Sequence, residues 1–143
     1  MFEIKVKLKN PSISTDIDRL LSEFLFDIGY LEERGEFDME TIKKSVPFRL
    51  FKEVFFLRSD KTWPVNEIMT YLETTKPTLY RHLNRLKALD IVQEVQLGKE
   101  KGYVMRYNSL SLAWNFVESN VKMAMDNYRK RVESIQLMAG EKQ

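Results

Sequence analysis

Residues 74–92 read TTKPTLYRHLNRLKALDIV. Leu79, Leu83, Leu86 and Leu89 recur at helical spacing, so they form one buried face of a helix. Thr75 suits its N-cap, and Pro77 falls in the first turn, where its missing N–H costs little. Lys76, Thr78, Tyr80, Arg81 and Arg85 lie opposite the leucines. His82 follows Leu79 by one turn and flanks the buried face, which predicts a structural or phosphate-contacting role.

Upstream, Trp63 precedes Pro64 and is therefore expected to be extended. Val65, Ile68, Met69 and Leu72 then give a short helical stripe, and Glu73-Thr74-Thr75 breaks it. Two short helices joined by a tight turn make a helix-turn-helix. Downstream, Ile91–Leu97 reads as a strand, Gly98–Gly102 as a basic turn and Tyr103–Tyr107 as the returning strand. Together they predict a hairpin.

Further out, Ser45-Val46-Pro47 opens a helix whose core face is Phe48, Phe51, Val54 and Phe55. Phe2, Ile4, Val6 and Leu8 alternate with charged residues, the pattern of a strand that Asn10-Pro11-Ser12 would end. Ile17, Leu20, Leu21, Phe24, Leu25 and Ile28 predict a helix capped by Ser14 or Thr15, with Asp18 in its first turn and Gly29 at its end. Residues 30–44 are acidic, with a short helix expected after Asp38. At the other end, Asn108-Ser109 or Ser111 can cap a helix. Its stripe of Trp114, Val117, Val121, Ala124, Tyr128, Ile135 and Met138 runs near heptad spacing, with Val132 slightly off. That stripe is long for one small domain to cover, so a dimerisation helix is expected over 111–138. A helix lying across its own domain is the alternative.

The chain has 143 residues, the size of one domain, and 43% hydrophobic with 31% charged residues is a composition that builds a core. No apolar run is long enough for a transmembrane helix, and the first ten residues lack the apolar stretch of a secretory signal, so a cytoplasmic protein is expected. The absence of cysteine excludes disulfides, thiolate metal sites and a cysteine nucleophile. There is no Gly-rich phosphate loop, no metal-ligand spacing and only one histidine. We therefore expect no enzyme, no cofactor and no bound metal. The net charge is only +2, but its sign separates along the chain. Residues 9–44 carry five basic against nine acidic side chains, whereas residues 76–106 carry seven basic against three acidic. The basic segment is where an anionic partner belongs.

The order of helix, helix-turn-helix and basic hairpin resembles the winged helix-turn-helix domain. The run over 74–92 is similar to the recognition helix of ArsR-type and MarR-type transcriptional regulators, archaeal ones in particular. The resemblance covers residues 45–108 and extends less specifically to the C-terminal helix. It implies a mainly α (α+β) fold and a DNA-binding homodimer that regulates genes. On this reading 1–44 is an N-terminal strand and acidic helical extension, 45–108 the DNA-binding domain and 109–143 the C-terminal dimerisation helix, all in one compact unit.

The chemistry of the residues agrees with a double-stranded DNA partner. A helix fits the major groove and offers its first turns to base edges, where Arg can fork onto guanine and Thr can meet a base or phosphate. The expected DNA contacts are Thr75, Lys76, Thr78, Tyr80, Arg81 and Arg85 from the helix, Lys99 and Lys101 from the wing, and Arg106 from the return strand. The expected dimer contacts are Trp114, Val117, Val121, Ala124, Tyr128 and Ile135. No residue set specifies a small-molecule effector. The alternative function is a winged-helix adaptor of the transcription or replication machinery that binds protein through the acidic N-terminal region.

Overall fold

The computed structural model describes residues 2–8, 13–32 and 38–141. Its centre is the leucine face of α5 (Lys76–Ala88), where Leu79, Leu83 and Leu86 are fully buried and Leu89 nearly so. They join one core cluster with Ile68 and Leu72 of α4 (Val65–Leu72) and with Phe51 and Phe55. Removing any one of these leucine side chains to alanine would cost about 2–5 kcal/mol. Thr75 caps α5 as expected, accepting from the Thr78 amide at 3.4 Å. The break before it is made by Glu73, which closes α4 in the left-handed region at φ +52°. α4 and α5 are the helix-turn-helix.

The hairpin follows. β2 (Val92–Leu97) and β3 (Glu100–Met105) pair antiparallel, and β1 (Trp63–Pro64) pairs with the other edge of β3, giving the order β1-β3-β2. The connection is tighter than the sequence pattern predicts. Gly98-Lys99 alone turns the chain, with Gly98 at φ +61°, and Lys101 and Gly102 already belong to β3. Gly102 lies inside β3 in close contact with the Leu97 side chain and does not turn the chain. It sits between Pro64 and Val95, and a Cβ there would stand 2.5 Å from Leu97 Cδ1.

The aromatic face comes from α3 (Val46–Arg49), which runs on into a π-helical stretch, Leu50–Phe56. The wider turn is visible in the five-residue bond from the Leu57 amide to the Lys52 carbonyl, 2.9 Å. Five-residue steps put Leu50 and Phe55 on one face, so Leu50, Phe51, Val54 and Phe55 are all buried. The stripe of Phe48, Phe51, Val54 and Phe55 read from the sequence leaves out Leu50, which is also fully buried.

In the acidic extension, α1 (Ile17–Asp27) is capped by Asp16, not by Ser14 or Thr15; Asp16 accepts from the Asp18 amide at 3.0 Å. A charged acceptor is favoured there by the helix N-terminus. The Ser14 hydroxyl instead supports the cap, accepting from the Asp16 amide at 3.1 Å. Asp18 pairs with Lys52, and with Lys43 at 3.6 Å, which ties α1 to the aromatic helix. The hydrogen bond from Lys52 holds the Asp18 carboxyl below its ordinary range. α2 (Met39–Lys44) begins on Asp38, as its spacing predicts.

The predicted N-terminal strand does not form a ladder. Residues 2–8 carry no strand, and the described backbone bond there runs from the Glu3 amide to the Ala88 carbonyl at 2.9 Å. Phe2 and Ile4 are half-buried while Val6 and Leu8 are exposed, so the alternation marks contact with the end of α5, not a sheet. The expected strand terminator at Asn10-Pro11-Ser12 lies outside the described residues.

After a short 3₁₀ turn at Arg106–Asn108, α6 (Leu110–Glu141) runs for 32 residues, about 48 Å. Ser109 supports its start, accepting from the Leu112 amide at 3.3 Å. Its first turns bury Ala113 and Val117. Trp114 stands edge-on to Phe24 at 5.3 Å. Beyond that, Met123, Met125, Tyr128, Val132, Ile135 and Met138 are each more than half exposed. Among the described residues no helix is long and apolar enough to cross a membrane.

Candidate nucleic-acid interface

The buried leucines fix which residues of α5 look outward. Lys76, Arg81 and Asn84 are exposed, and Thr78, Tyr80 and Arg85 are half-buried along the two flanks of that face. The face is rigid because its opposite side is the core. On one flank Lys76 lies 5.9 Å from the Tyr80 ring centroid, and the apolar part of Tyr80 packs on the core cluster. On the other flank the Arg85 guanidinium turns back into the protein. It donates to the Tyr30 carbonyl at 3.2 Å and to Glu32 at 2.6 Å. Thr75 is occupied as a cap and donates its hydroxyl to Thr78 Oγ1 at 3.0 Å.

Asn84 is the residue that the sequence reading missed. It lies three positions beyond Arg81, with which it shares the exposed face, and four beyond the half-buried Tyr80 on its flank. Its position opposite the leucines on a helical projection was the available signal. An asparagine there can bond an adenine edge with both its amide groups.

The wing presents its cations unevenly. Lys99 is at the turn and exposed. Lys101 stands 3.3 Å from Glu94, which also accepts from Lys87 at 2.8 Å. The Lys87 bond, reinforced by Lys101, keeps the Glu94 carboxyl below its usual range. Arg106 faces inward and donates Nε to the Asp90 carbonyl at 2.7 Å. Its guanidinium also lies 4.3 Å from the Phe116 ring centroid. The strongest outward set is therefore Lys76, Arg81, Asn84 and Lys99, while Arg85 and Arg106 are held by intramolecular acceptors.

His82 is 5% exposed and its Nδ1 has no hydrogen-bond partner. Burial, then the neighbouring Arg81 and Arg85 charges, push its pKa down to about 4, so the ring is neutral at physiological pH. Among the described residues no three carboxylate, imidazole or thiol groups converge as a metal cluster.

The predicted dimer seam divides along α6. Val117 and Trp114 pack against their own domain, and Val121 and Ala124 are half-buried at its edge. Tyr128 and Ile135 project beyond the body, 55% and 62% exposed.

No curated protein shows a significant match to the chain. Residues 55–94 match the model of the arsR family of bacterial regulatory proteins. The matched stretch contains β1, α4, α5 and the start of β2. With the three-stranded sheet beside it, this part of the chain has a winged helix-turn-helix fold, similar to that of the arsR family.

Proposed function

We propose that the protein is a sequence-specific, double-stranded-DNA-binding regulator of transcription that acts as a homodimer, with α5 in the major groove and the β2–β3 wing on the flanking groove or backbone. The observation that carries this reading is the outward face of α5. Lys76, Tyr80, Arg81 and Asn84 stand on a helix whose other side is packed leucine, inside a segment of net positive charge. The ArsR-type match supports DNA as the partner. Thr75 and Thr78 at the start of α5 are placed to meet a phosphate, which the helix N-terminus also favours. Lys99, and Lys101 once it leaves Glu94, supply salt-dependent affinity. Nothing in this scheme asks for a catalytic group or a cofactor, and its DNA partner puts the protein's work in the cytoplasm.

The projecting half of α6 supports the dimer. Its exposed Tyr128, Val132 and Ile135 repeat at four and three residues, the spacing of a helix-helix seam. A two-fold axis there would present two copies of α5 to half-sites about 34 Å apart.

Fluorescence anisotropy against random duplexes and the DNA upstream of the protein's own gene, across a salt series, tests the reading. Selective binding with a steep salt slope is expected. No binding to either at about 50–100 mM salt would overturn it. That outcome would favour the adaptor reading, for which exposed Ile13, Ile17 and Leu20 beside the acidic helix offer a protein-binding surface.

A further inference from the structure

A groove of about 630 Å³ separates α5 from the α2–α3 corner, a size suited to a small organic ligand. Phe26, Ile42 and Val46 give it an apolar wall, and Arg81, His82 and Arg85 come from the recognition helix. We propose that this groove binds a small amphipathic carboxylate, with its acid group at the two arginines and its apolar part along the Ile42–Val46 wall.

Three observations choose the chemistry. First, two guanidinium groups one turn apart rim the groove, and among the described residues Arg81 has no ion-pair partner. A carboxylate matches the planar arginine fork in two parallel bonds. Second, the chain already places a carboxylate there. Glu32 accepts from Arg85 at 2.6 Å, with the Tyr30 carbonyl at 3.2 Å beside it. Glu32 is exposed, so exchanging it for a ligand carboxylate costs little. Third, His82 belongs to the groove lining, edge-on to Tyr30 at 6.5 Å between centroids, so a ring flanks the position of the acid group between the two arginines in sequence.

The site also has a regulatory consequence, which rests on the DNA-binding reading above. Arg81 lies both on the rim of the groove and on the outward face of α5. A carboxylate that engages Arg81 withdraws it from a base or phosphate, so ligand and DNA weaken one another's binding reciprocally.

The only histidine of the chain provides a local readout. Full-length protein is titrated with decanoate while the His82 imidazole signals are followed by NMR, with inorganic phosphate as the anion lacking an apolar part. A saturable shift of the His82 signals with decanoate, but not with phosphate, is expected. Val46→Trp fills the groove and should abolish the shift. Glu32→Gln removes the competing carboxylate and should tighten decanoate binding a few-fold, an effect that a purely structural Glu32 would not produce. No saturable shift, a shift that survives Val46→Trp, or weaker binding in Glu32→Gln overturns the site. In parallel, decanoate should lower affinity for DNA. A saturating His82 shift with unchanged DNA affinity overturns the coupling and leaves the site standing. A protein that binds no DNA even without decanoate refutes the DNA reading, and the NMR result then judges the site by itself.

Discussion

Arg106 donates its Nε to the Asp90 carbonyl at 2.7 Å, and its Nη2 stands 3.6 Å from the Asp90 carboxylate. Asp90 is in the left-handed region at φ +62° and also accepts from Asn120 at 3.1 Å. The pair therefore joins the exit of α5, the end of β3 and the third turn of α6 around one strained residue.

That geometry makes Arg106 structural in effect. Arg106→Met should lower stability by about 1.5–3 kcal/mol, the range for a hydrogen bond with a charged donor. DNA affinity measured well below the unfolding transition should be unchanged. Urea melts and anisotropy on the same preparation separate the two. A specific loss of DNA affinity with unchanged stability would return Arg106 to the interface.

Arg81 and Lys99 should behave differently from each other. Arg81→Ala should cost about 1–3 kcal/mol at one base position and relax preference there. Asn84→Ala should do the same at a neighbouring position, because the two side chains share one face. Lys99→Ala should weaken binding to every sequence and flatten the salt slope by about one. Equal losses on specific and random duplexes for Arg81→Ala would assign that side chain to the backbone.

Local periodicity made most of the winged helix legible in the sequence. The leucine spacing of α5, the Thr75 cap and the Asp38 cap each depend on residues within one or two turns. The features that escaped depend on partners far along the chain. Arg85 lies on the polar side of its helix, yet its acceptors are Tyr30 and Glu32, more than fifty residues away. Arg106 looks like a wing cation until the left-handed turn at Asp90 is known. The π-helical stretch is hidden for another reason. Leu50, Phe51, Val54 and Phe55 are spaced as on an ordinary helix face, so nothing in their periodicity marks the widened turn. Phe2–Leu8 has the right alternation for a strand, but no described strand lies beside it to complete a ladder.

His82 sets an acid limit on stability. Its folded pKa, about 4, lies below the 6.5 of a free imidazole, because burial and two arginines oppose the charge. Between those values the unfolded chain binds a proton that the folded chain refuses. The neutral ring is therefore tolerated in full above about pH 6.5, and stability falls as the pH drops towards 4. The loss should be about 2 kcal/mol between neutral pH and about pH 4.5. Asp18 and Glu94, held below their ordinary values, add to acid lability only at lower pH. Urea midpoints near neutral pH and near pH 5 should differ in the native protein and converge in His82→Phe. A slope that persists in His82→Phe would place the sensitivity in another group.

In the proposed dimer the projecting half of α6 forms the seam between the two copies. Val132 and Ile135 are 55% and 62% exposed, so charging them leaves the domain's own core intact. Val132→Glu combined with Ile135→Glu should therefore give a folded monomer with an unchanged urea midpoint at low protein concentration, because a partner stabilises only by mass action. Sedimentation velocity should show the loss of the dimer. Affinity for a two-half-site duplex should drop towards that of a single half-site, since the second contact is no longer intramolecular. Ending the chain before α6 would be a poorer test, because Ala113 and Val117 are fully buried in the domain and their removal opens its core. A double-glutamate variant that still sediments as a dimer would move the interface away from this stripe, to the exposed apolar residues at Val6 and Leu8 near the N-terminus.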